Sequence, residues 1–495
     1  MIGVDIGSSN LISAIVSEDI SIFKKPAQIG IQSLLNELKN YLTKEKVVIT
    51  TSLPTNLLVS KFEEVKTLTL LIPGPGLNYS NYGYILKGYV NHRGEVVEKI
   101  DEVEIRKILE REKFQNVAIA SKFSTRNPIL EEEVKKIVQE KVEEKKIALS
   151  YFVGGLNYPA RINTTVINAK LKEVLWDLNE RIKSILSDFY YLNGDGSISH
   201  HSLVAENPSY LYGSTAVASA FGALFLTGEK NAVVVNIGGN TTTLVRIENG
   251  KPVFVDRVEI AGKMTLIRSV DFFSIPLAGN AIVQNGKLRP EFSIPMAFGG
   301  EKFTLTDALN CIGFEIGDFK RSRKAGERYS SESVVENFVS MVAENLKAVE
   351  CEKIVGAGSL APYLIPQIAK KVGVDYIIPK NSDAICAIGS AVSKLSLTIH
   401  ARYDTEKGVA IYNGVPERCP FRTGSIPRDE EFLEAARKKV LEIAKSFGEG
   451  EIGEIKLLDF NSFTVVKGGM KRGVIADLTL QLEPGIKYGR SKGAT

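Results

Sequence analysis

Two runs rich in β-branched residues open the chain, Met1 to Ile6 and Leu11 to Val16, with the cluster Gly7-Ser8-Ser9-Asn10 between them. The same pattern returns about half a chain later, where Val233 to Ile237 and Thr242 to Ile247 flank Gly238-Gly239-Asn240-Thr241. Strand-like runs on either side of a glycine-rich tip predict a β-hairpin at each place. Their repetition predicts a duplicated α/β architecture. Asn249-Gly250 is a two-residue turn signal, so a third strand is expected over Pro252 to Val258.

Between and beyond the hairpins the apolar spacing becomes helical. Asn127 and Pro128 read as a cap and first helical position. Glu131, Glu132 and Glu133 follow at the positive end of the dipole, with Leu130, Val134, Ile137, Val138 and Val142 on one face. Leu171, Leu175, Leu178, Ile182 and Ile185 form a second stripe around Trp176, and Val335, Phe338, Val339, Val342 and Leu346 a third; both read as core faces. The helix expected over Ser214 to Gly228 is small-faced, through Ala216, Ala218, Ala220, Gly222 and Ala223, as where a helix approaches another backbone or lines an interdomain cleft. Phe272 to Arg289 reads as loop with short strands, Glu143 to Lys146 as a solvated helix end, and the chain after Ala401 as a strand-rich, then helical appendage.

A chain of 495 residues is too long for one core, so two or three domains are expected. The boundaries suggested are 1–175, 176–400 and 401–495. A formal charge of +4 and no basic run with interleaved aromatics give no attraction to nucleic acid or to a membrane surface. Cys311, Cys351, Cys386 and Cys419 lie far apart without a CxxC pair, which argues against a disulfide framework or zinc ribbon and for a reducing compartment. Without a basic, apolar leader, the chain reads as cytoplasmic.

Phosphate binding needs several N–H donors converging on one anion, and glycine lets the backbone approach unobstructed. Both hairpin tips offer this. The first adds Asp5, whose carboxylate can hold Mg²⁺ directly or through water, and the hydroxyls of Ser8 and Ser9. The second offers Gly238, Gly239, Asn240, Thr241 and Thr242. A third glycine-rich segment, Ile354-Val355-Gly356-Ala357-Gly358-Ser359-Leu360, follows an apolar run and opens a helix ending near Gly373, where its amides can meet adenine, ribose or phosphate.

In this order the three segments resemble the nucleotide-binding superfamily of sugar kinases, heat-shock chaperones and actin. Further pieces narrow the resemblance. Thr50-Thr51-Ser52-Leu53-Pro54-Thr55-Asn56-Leu57-Leu58 is similar to the TTxxTNALL segment of the ATP-dependent hydantoinase/5-oxoprolinase family, A-type chain. Phe123 to Pro128 with Glu131, Asn163 to Ala169, Gly194-Asp195-Gly196, Gly213 to Ala216, Thr304 to Leu309 and Ala387 to Ala391 follow in family order, over about residues 1 to 400.

The resemblance implies duplicated actin-like, ribonuclease H-like lobes, ATP and Mg²⁺ as cofactors, and ATP-dependent opening of a cyclic amide such as a hydantoin or 5-oxoproline-like lactam. It implies a B-type partner chain and leaves a homo-oligomer open. On this reading Asp5 holds the metal, Asn236 occupies the matching catalytic position, Gly7 to Asn10 and Gly238 to Thr242 cradle phosphates, and Gly356, Gly358 and Ser359 contact the nucleoside. Relatives include ketone carboxylases, so the acceptor can be an enolate or bicarbonate instead. The family pattern DxGGTxTD reads here Asp5-Ile6-Gly7-Ser8-Ser9-Asn10-Leu11-Ile12 and Asn236-Ile237-Gly238-Gly239-Asn240-Thr241-Thr242-Thr243, so three of four expected aspartates are replaced. Asn236 brings no charge to a metal and no base. A second reading follows from that, a catalytically weakened nucleotide-binding subunit of a two-chain complex. Kinase-like transfer to a small hydroxyl or acid is a third, and lacks a visible carboxylate base. The best counterpart of the family's GxGGGS stretch is Leu277-Ala278-Gly279-Asn280-Ala281.

Four other readings concern single residues. Asp195 can pair with His200 or His201 as an acid–base or metal couple, the alternative being a solvated loop. Thr306-Asp307 is either a helix N-cap or a ligand, His400 is structural, and Cys386 is a buried thiol in a small-residue helix.

Overall fold

The computed structural model describes residues 1–42, 45–60, 62–327, 329–446 and 453–487. The first hairpin forms as expected, Ile2–Ile6 antiparallel to Asn10–Val16, and Ile20–Pro26 extends it. Val47–Thr51 lies parallel to Ile2–Ile6 on its other side, followed by Tyr190–Leu192 and Ile198–His200. The second hairpin, Ala232–Ile237 with Thr242–Glu248, builds a sheet in the same order, with Lys353–Ala357 and then Asp375–Ile377 parallel on the far side. Three antiparallel strands followed by two parallel ones thus occur twice. The expected third strand is interrupted. Asn249 and Gly250 make the turn at positive φ, but only Lys251–Pro252 pairs with the hairpin, and Phe254–Val255 leaves to pair with Ser269–Val270. Phe272–Ile275 takes the vacated edge of Thr242–Glu248.

Two small-residue helices, Ser214–Thr227 and Ile385–Val392, pack between the sheets. Their contact depends on missing side chains. A Cβ on Gly222 would stand 2.1 Å from the Ile385 carbonyl oxygen and one on Gly389 1.9 Å from that of Ala218. The stripe read from the sequence is therefore a helix–helix seam. The stretch Pro208–Thr227 is long and apolar enough to cross a membrane, yet 67% of its apolar window is buried inside the fold.

The helix Tyr158–Lys183 begins well before the stripe that announced it and runs across residue 175. Because Tyr190–Leu192 and Ile198–His200 belong to the first sheet, that unit continues beyond residue 175. Within it, residues 67–149 form a separate parallel sheet, Tyr84–Ile85, Thr67–Ile72, Asn116–Ser121 and Ile147–Leu149, with its own core of Leu70, Ile119, Leu130 and Val134. The helix there spans Ile129–Val138, one turn shorter than its stripe, and the Asn127 carboxamide accepts from the Ile129 N–H. Glu144–Lys146 is a separate 3₁₀ turn.

The C-terminal unit starts at Thr398 and is a five-stranded antiparallel sheet, ordered 415–418, 409–412, 398–404, 470–482, 455–467. The helix Asp429–Ser446 covers one face, burying Phe432, Ala436 and Val440 against Ile399, Ala401 and Tyr403. Alternation sends Thr398, His400 and Arg402 to the other face. There Thr398 Oγ1 donates to Asp195 Oδ2 at 2.8 Å and Arg402 reaches the Thr125 carbonyl, tying the appendage to the first lobe.

Thr306-Asp307 turns out to be neither of the alternatives. The helix Leu305–Cys311 is capped by Thr304, and Asp307 is its reciprocating N3 residue. The fully buried Asp307 carboxylate accepts from the N–H groups of Met296, Ala297 and Thr304 and from the hydroxyls of Thr304 and Ser322, at 2.7–3.0 Å. Asp307→Ala leaves these donors buried and unpaired, so a loss of about 3 kcal/mol is expected in urea unfolding.

Candidate functional site

Each hairpin tip is closed by one backbone bond of the same length. Gly7 N–H donates to the Asn10 carbonyl and Gly238 N–H to that of Thr241, both at 3.1 Å. Asp5 pairs with Ile12 in the first register and Asn236 with Thr243 in the second, so Asp5 and Asn236 hold equivalent positions. The two tips meet. A Cβ on Gly239 would lie 2.0 Å from Ser9 Oγ and 2.9 Å from Ser8 Oγ.

Asn280 fastens this meeting: its Nδ2 donates to Ser9 Oγ at 2.9 Å and to Asn240 Oδ1 at 3.0 Å, and its own N–H donates to the Gly239 carbonyl at 2.7 Å. Gly279 fits between Leu360 and Thr306. The Leu277–Ala281 segment thus sits against both tips, and the side chain at Asn280 serves as a tie.

The N–H groups of Ser8, Ser9, Gly239 and Asn240 donate to no protein acceptor among the described residues. Four unclaimed donors on two facing tips are an arrangement that could cradle an anion. The hydroxyls differ. Thr241 Oγ1 donates to Asn56 Oδ1 at 3.2 Å and Thr242 Oγ1 to the Leu277 carbonyl at 2.8 Å, so the Thr242 hydroxyl is taken up by the fold instead of facing a phosphate. Asn10 begins the second strand opposite Pro26. Asn56, in the segment Thr50 to Leu58, thereby joins the site without having been singled out from the sequence.

At the base, Asp5 Oδ1 is sealed from solvent and accepts no hydrogen bond. Burial pushes its pKa up to about 7. An unpartnered carboxylate oxygen beside the cradle suits a hard cation, which would restore the charged form. Among the described residues no three His, Cys, Asp or Glu side chains gather as a metal cage. A cation here would lean on Asp5, ligand oxygens and water. Asn236 Nδ2 donates to Cys386 Sγ at 3.4 Å, and burial holds that thiol well above its ordinary pKa. Cys386 is buried and inert, as the sequence suggested.

In the third segment, Gly358, at positive φ, lies against the Ile237 carbonyl and Asn236 Oδ1, and Ser359 is exposed. Gly356 is a different case. A Cβ there would meet Ile365 and Ile378, so this glycine serves strand–helix packing instead of nucleoside contact.

Asp195 is not coupled to His200 or His201. Its carboxylate accepts from Ser197 N–H and Oγ, Thr398 Oγ1 and Gln481 Nε2, and at 8% exposure it is no solvated loop residue. His200 pairs with Ser202 and Asp188, while His201 stacks on Phe189. Strand alternation and the local helix start separate them from Asp195.

Residues 161–350 match the family model described as Hydantoinase/oxoprolinase, and residues 1–142 match that described as Hydantoinase/oxoprolinase N-terminal region. The chain is similar to an uncharacterized protein of Methanocaldococcus jannaschii, 23% identical over 194 residues, covering 37% of this chain and 28% of that protein. In structure it is similar to a nucleotide-free acetone carboxylase, with a TM-score of 0.72 at 15% identity over 99% of this chain and 88% of that one. It is also similar to the ATP-dependent caprolactamase of Pseudomonas jessenii, with a TM-score of 0.60 at 15% identity and the same coverage. At such identities the likeness establishes a shared mixed α/β fold.

Proposed function

The chain belongs to the hydantoinase/oxoprolinase family, and from that premise we propose that it is an ATP- and Mg²⁺-dependent enzyme that activates a small cyclic amide, a hydantoin or 5-oxoproline-like lactam, for hydrolysis. The observation that carries this reading is the pair of facing tips with four unclaimed N–H donors above the unpartnered Asp5 oxygen. The repeated strand order supports treating the sheets as two actin-like lobes with the cleft between them.

Mg²⁺·ATP bound in this cleft would supply a phosphoryl group to the amide oxygen, making the amide carbon electrophilic enough for water to add and the C–N bond to break, with ADP and inorganic phosphate released. The chain's contribution is positional and electrostatic. The amides of Ser8, Ser9, Gly239 and Asn240 hold phosphate oxygens, the Ser8 and Ser9 hydroxyls add donors, and Asp5 offers the anionic oxygen for the cation. Gly358 and Ser359 border the nucleoside. Asn280 holds the two tips at a fixed separation.

A second reading draws on Asn236. Its amide is engaged with Cys386, so the second hairpin offers no carboxylate at the matching position, as in a nucleotide-binding subunit whose turnover is weak without a B-type partner. Titration calorimetry with Mg²⁺·ATP, followed by phosphate release with hydantoin and 5-oxoproline, with and without a B-type chain, separates the two. Substrate-stimulated release by the chain alone supports the enzyme, and binding with release only in the partner's presence supports the subunit. No nucleotide binding at all overturns both. We further propose a cytoplasmic location, in keeping with four free cysteines.

The tips give a sharper expectation. Gly239→Ala sets a methyl against three side-chain atoms, Ser9 Oγ, Asn280 Nδ2 and Ser8 Oγ, which can turn aside at the cost of the Asn280–Ser9 hydrogen bond, about 1 kcal/mol, while the methyl obstructs the tips. Nucleotide affinity is expected to fall about 10- to 100-fold with only a small drop in melting temperature, as checked by calorimetry and thermal melts.

A further inference from the structure

A cavity of about 480 Å³ opens between the outer strands of the first sheet and the inward face of the C-terminal sheet, and neither of the two facing tips, 7–10 and 238–241, lines it. Most polar groups in its wall are already paired. Asp195 holds its hydrogen bonds to Ser197, Thr398 and Gln481, Glu206 pairs with Lys172 at 2.7 Å, and Asp256 pairs with Arg268 at 3.0 Å.

Asn193 Oδ1 is buried without a hydrogen-bond partner among the described residues, and three further groups stand open. The Tyr210 hydroxyl makes no hydrogen bond among the described residues, and burial and the nearby Asp195 keep the phenol protonated. His400 uses Nδ1 toward Thr479 Oγ1 at 3.0 Å, which leaves Nε2 without a partner among the described residues, and burial lowers its pKa and so favours the neutral imidazole. Arg257, exposed at the rim, makes no ion pair among the described residues. A phenol donor, a neutral imidazole and an unpaired guanidinium, set among Phe152, Leu203 and Leu266, make a small amphipathic pocket with one cationic edge.

We propose that this cavity is a second binding site, distinct from the nucleotide cleft, for a small carboxylate that also carries an amide or amine nitrogen. Its carboxylate meets Arg257, and its nitrogen or carbonyl meets His400 Nε2 and Tyr210 Oη. Two molecules share that chemistry, a carboxylated lactam and the amino acid formed by opening it. The choice of these two rests on the function proposed above, whereas the existence of the site does not. The location suits communication with the cleft. Ser214 Oγ donates to the carbonyl of Leu192, beside the wall residue Asn193, and contacts Thr50 Oγ1 at 2.6 Å, and Thr50 is the parallel neighbour of Asp5.

The test is calorimetric titration of the full chain with 5-oxoproline, glutamate and uncharged 2-pyrrolidone, with and without saturating Mg²⁺·ATP. Millimolar or tighter binding of 5-oxoproline or glutamate is expected, with the preferred probe distinguishing closed lactam from open amino acid. Arg257→Gln should weaken the carboxylated probe about tenfold and leave 2-pyrrolidone unaffected, and Tyr210→Phe should weaken it by a smaller factor. Nucleotide affinity of Arg257→Gln should equal that of the parent chain. The site is overturned by absent binding of both carboxylated probes, by binding indifferent to both substitutions, or by competition with ATP that places the probe in the cleft. Failure of nucleotide binding alone would overturn the proposed function and leave this result standing.

Discussion

Asp5→Asn is expected to abolish Mg²⁺-dependent ATP turnover and, at about pH 8, to raise the melting temperature. Both effects come from one oxygen. Asp5 Oδ1 is buried without a donor, and burial raises the carboxyl pKa from 3.8 to about 7. The folded chain therefore binds that proton more tightly than the unfolded chain. Stability associated with the neutral form is fully present below about pH 4, and it is lost as pH rises until the group is ionised above about pH 7. The cost at alkaline pH is on the order of 3 kcal/mol, and a neutral asparagine of the same shape avoids it. Turnover should fall about a thousandfold or more, since the tips offer no other carboxylate to a cation. Melts at pH 8 and pH 5, with phosphate release on the same samples, check both halves. The stabilisation should shrink toward the lower pH. Wild-type turnover in the variant would remove Asp5 from the chemistry, and an unchanged melt at pH 8 would refute the buried, unpaired carboxyl.

The parts of this site that could be read from sequence are those whose physics is local. A glycine-rich tip between β-branched runs specifies a hairpin wherever it occurs, and Asn249-Gly250 specified its turn. The Ser214 helix showed its close packing through alanines and glycines, although not its partner, Ile385–Val392, which lies far along the chain. What escaped depends on residues distant in sequence. Asp195 looked like a histidine's neighbour, and its actual partners include Thr398 and Gln481, about 200 and nearly 290 positions away. Asn280 stood out only as part of the counterpart of a glycine-rich stretch. Its amide instead bridges Ser9 and Asn240, whose proximity exists only once the two lobes are docked. Gly356 and Gly358 looked equivalent, and they separate because Gly356 lies within the strand Lys353–Ala357 and packs on the helix, whereas Gly358 lies past the strand's end at positive φ, against the second hairpin. The third strand broke early because Lys251–Pro252 uses only two registers before the chain is drawn to Ser269–Val270.

Gly389→Ala is expected to cost more stability than any single change at the hairpin tips and to remove nucleotide binding with it. The added Cβ would stand 1.9 Å from the Ala218 carbonyl oxygen and 2.8 Å from both Ala218 C and Gly222 N, all backbone atoms of the facing helix. Backbone in a packed helix cannot rotate aside as Ser9 Oγ can at Gly239. The helices must separate, and the loss is expected to be about 3 kcal/mol or more. Separation also carries to the cleft. The helix bearing Gly389 packs on the first hairpin, where Gly3 is held against the Ala387 carbonyl, and on the helix beside the second. A wider seam moves Ser8 and Ser9 away from Gly239 and Asn240, dividing the four donors into two pairs. Cys386, which contacts Asn236 at the base of the cleft, lies one turn from Gly389 on the same helix and moves with it. Urea unfolding and nucleotide titration on Gly389→Ala and Gly239→Ala together provide the test. A stable Gly389→Ala protein that binds nucleotide normally would mean that the seam does not set the separation of the tips. Loss of binding in Gly239→Ala with retained stability, beside joint loss in Gly389→Ala, would separate the cradle from the junction that positions it.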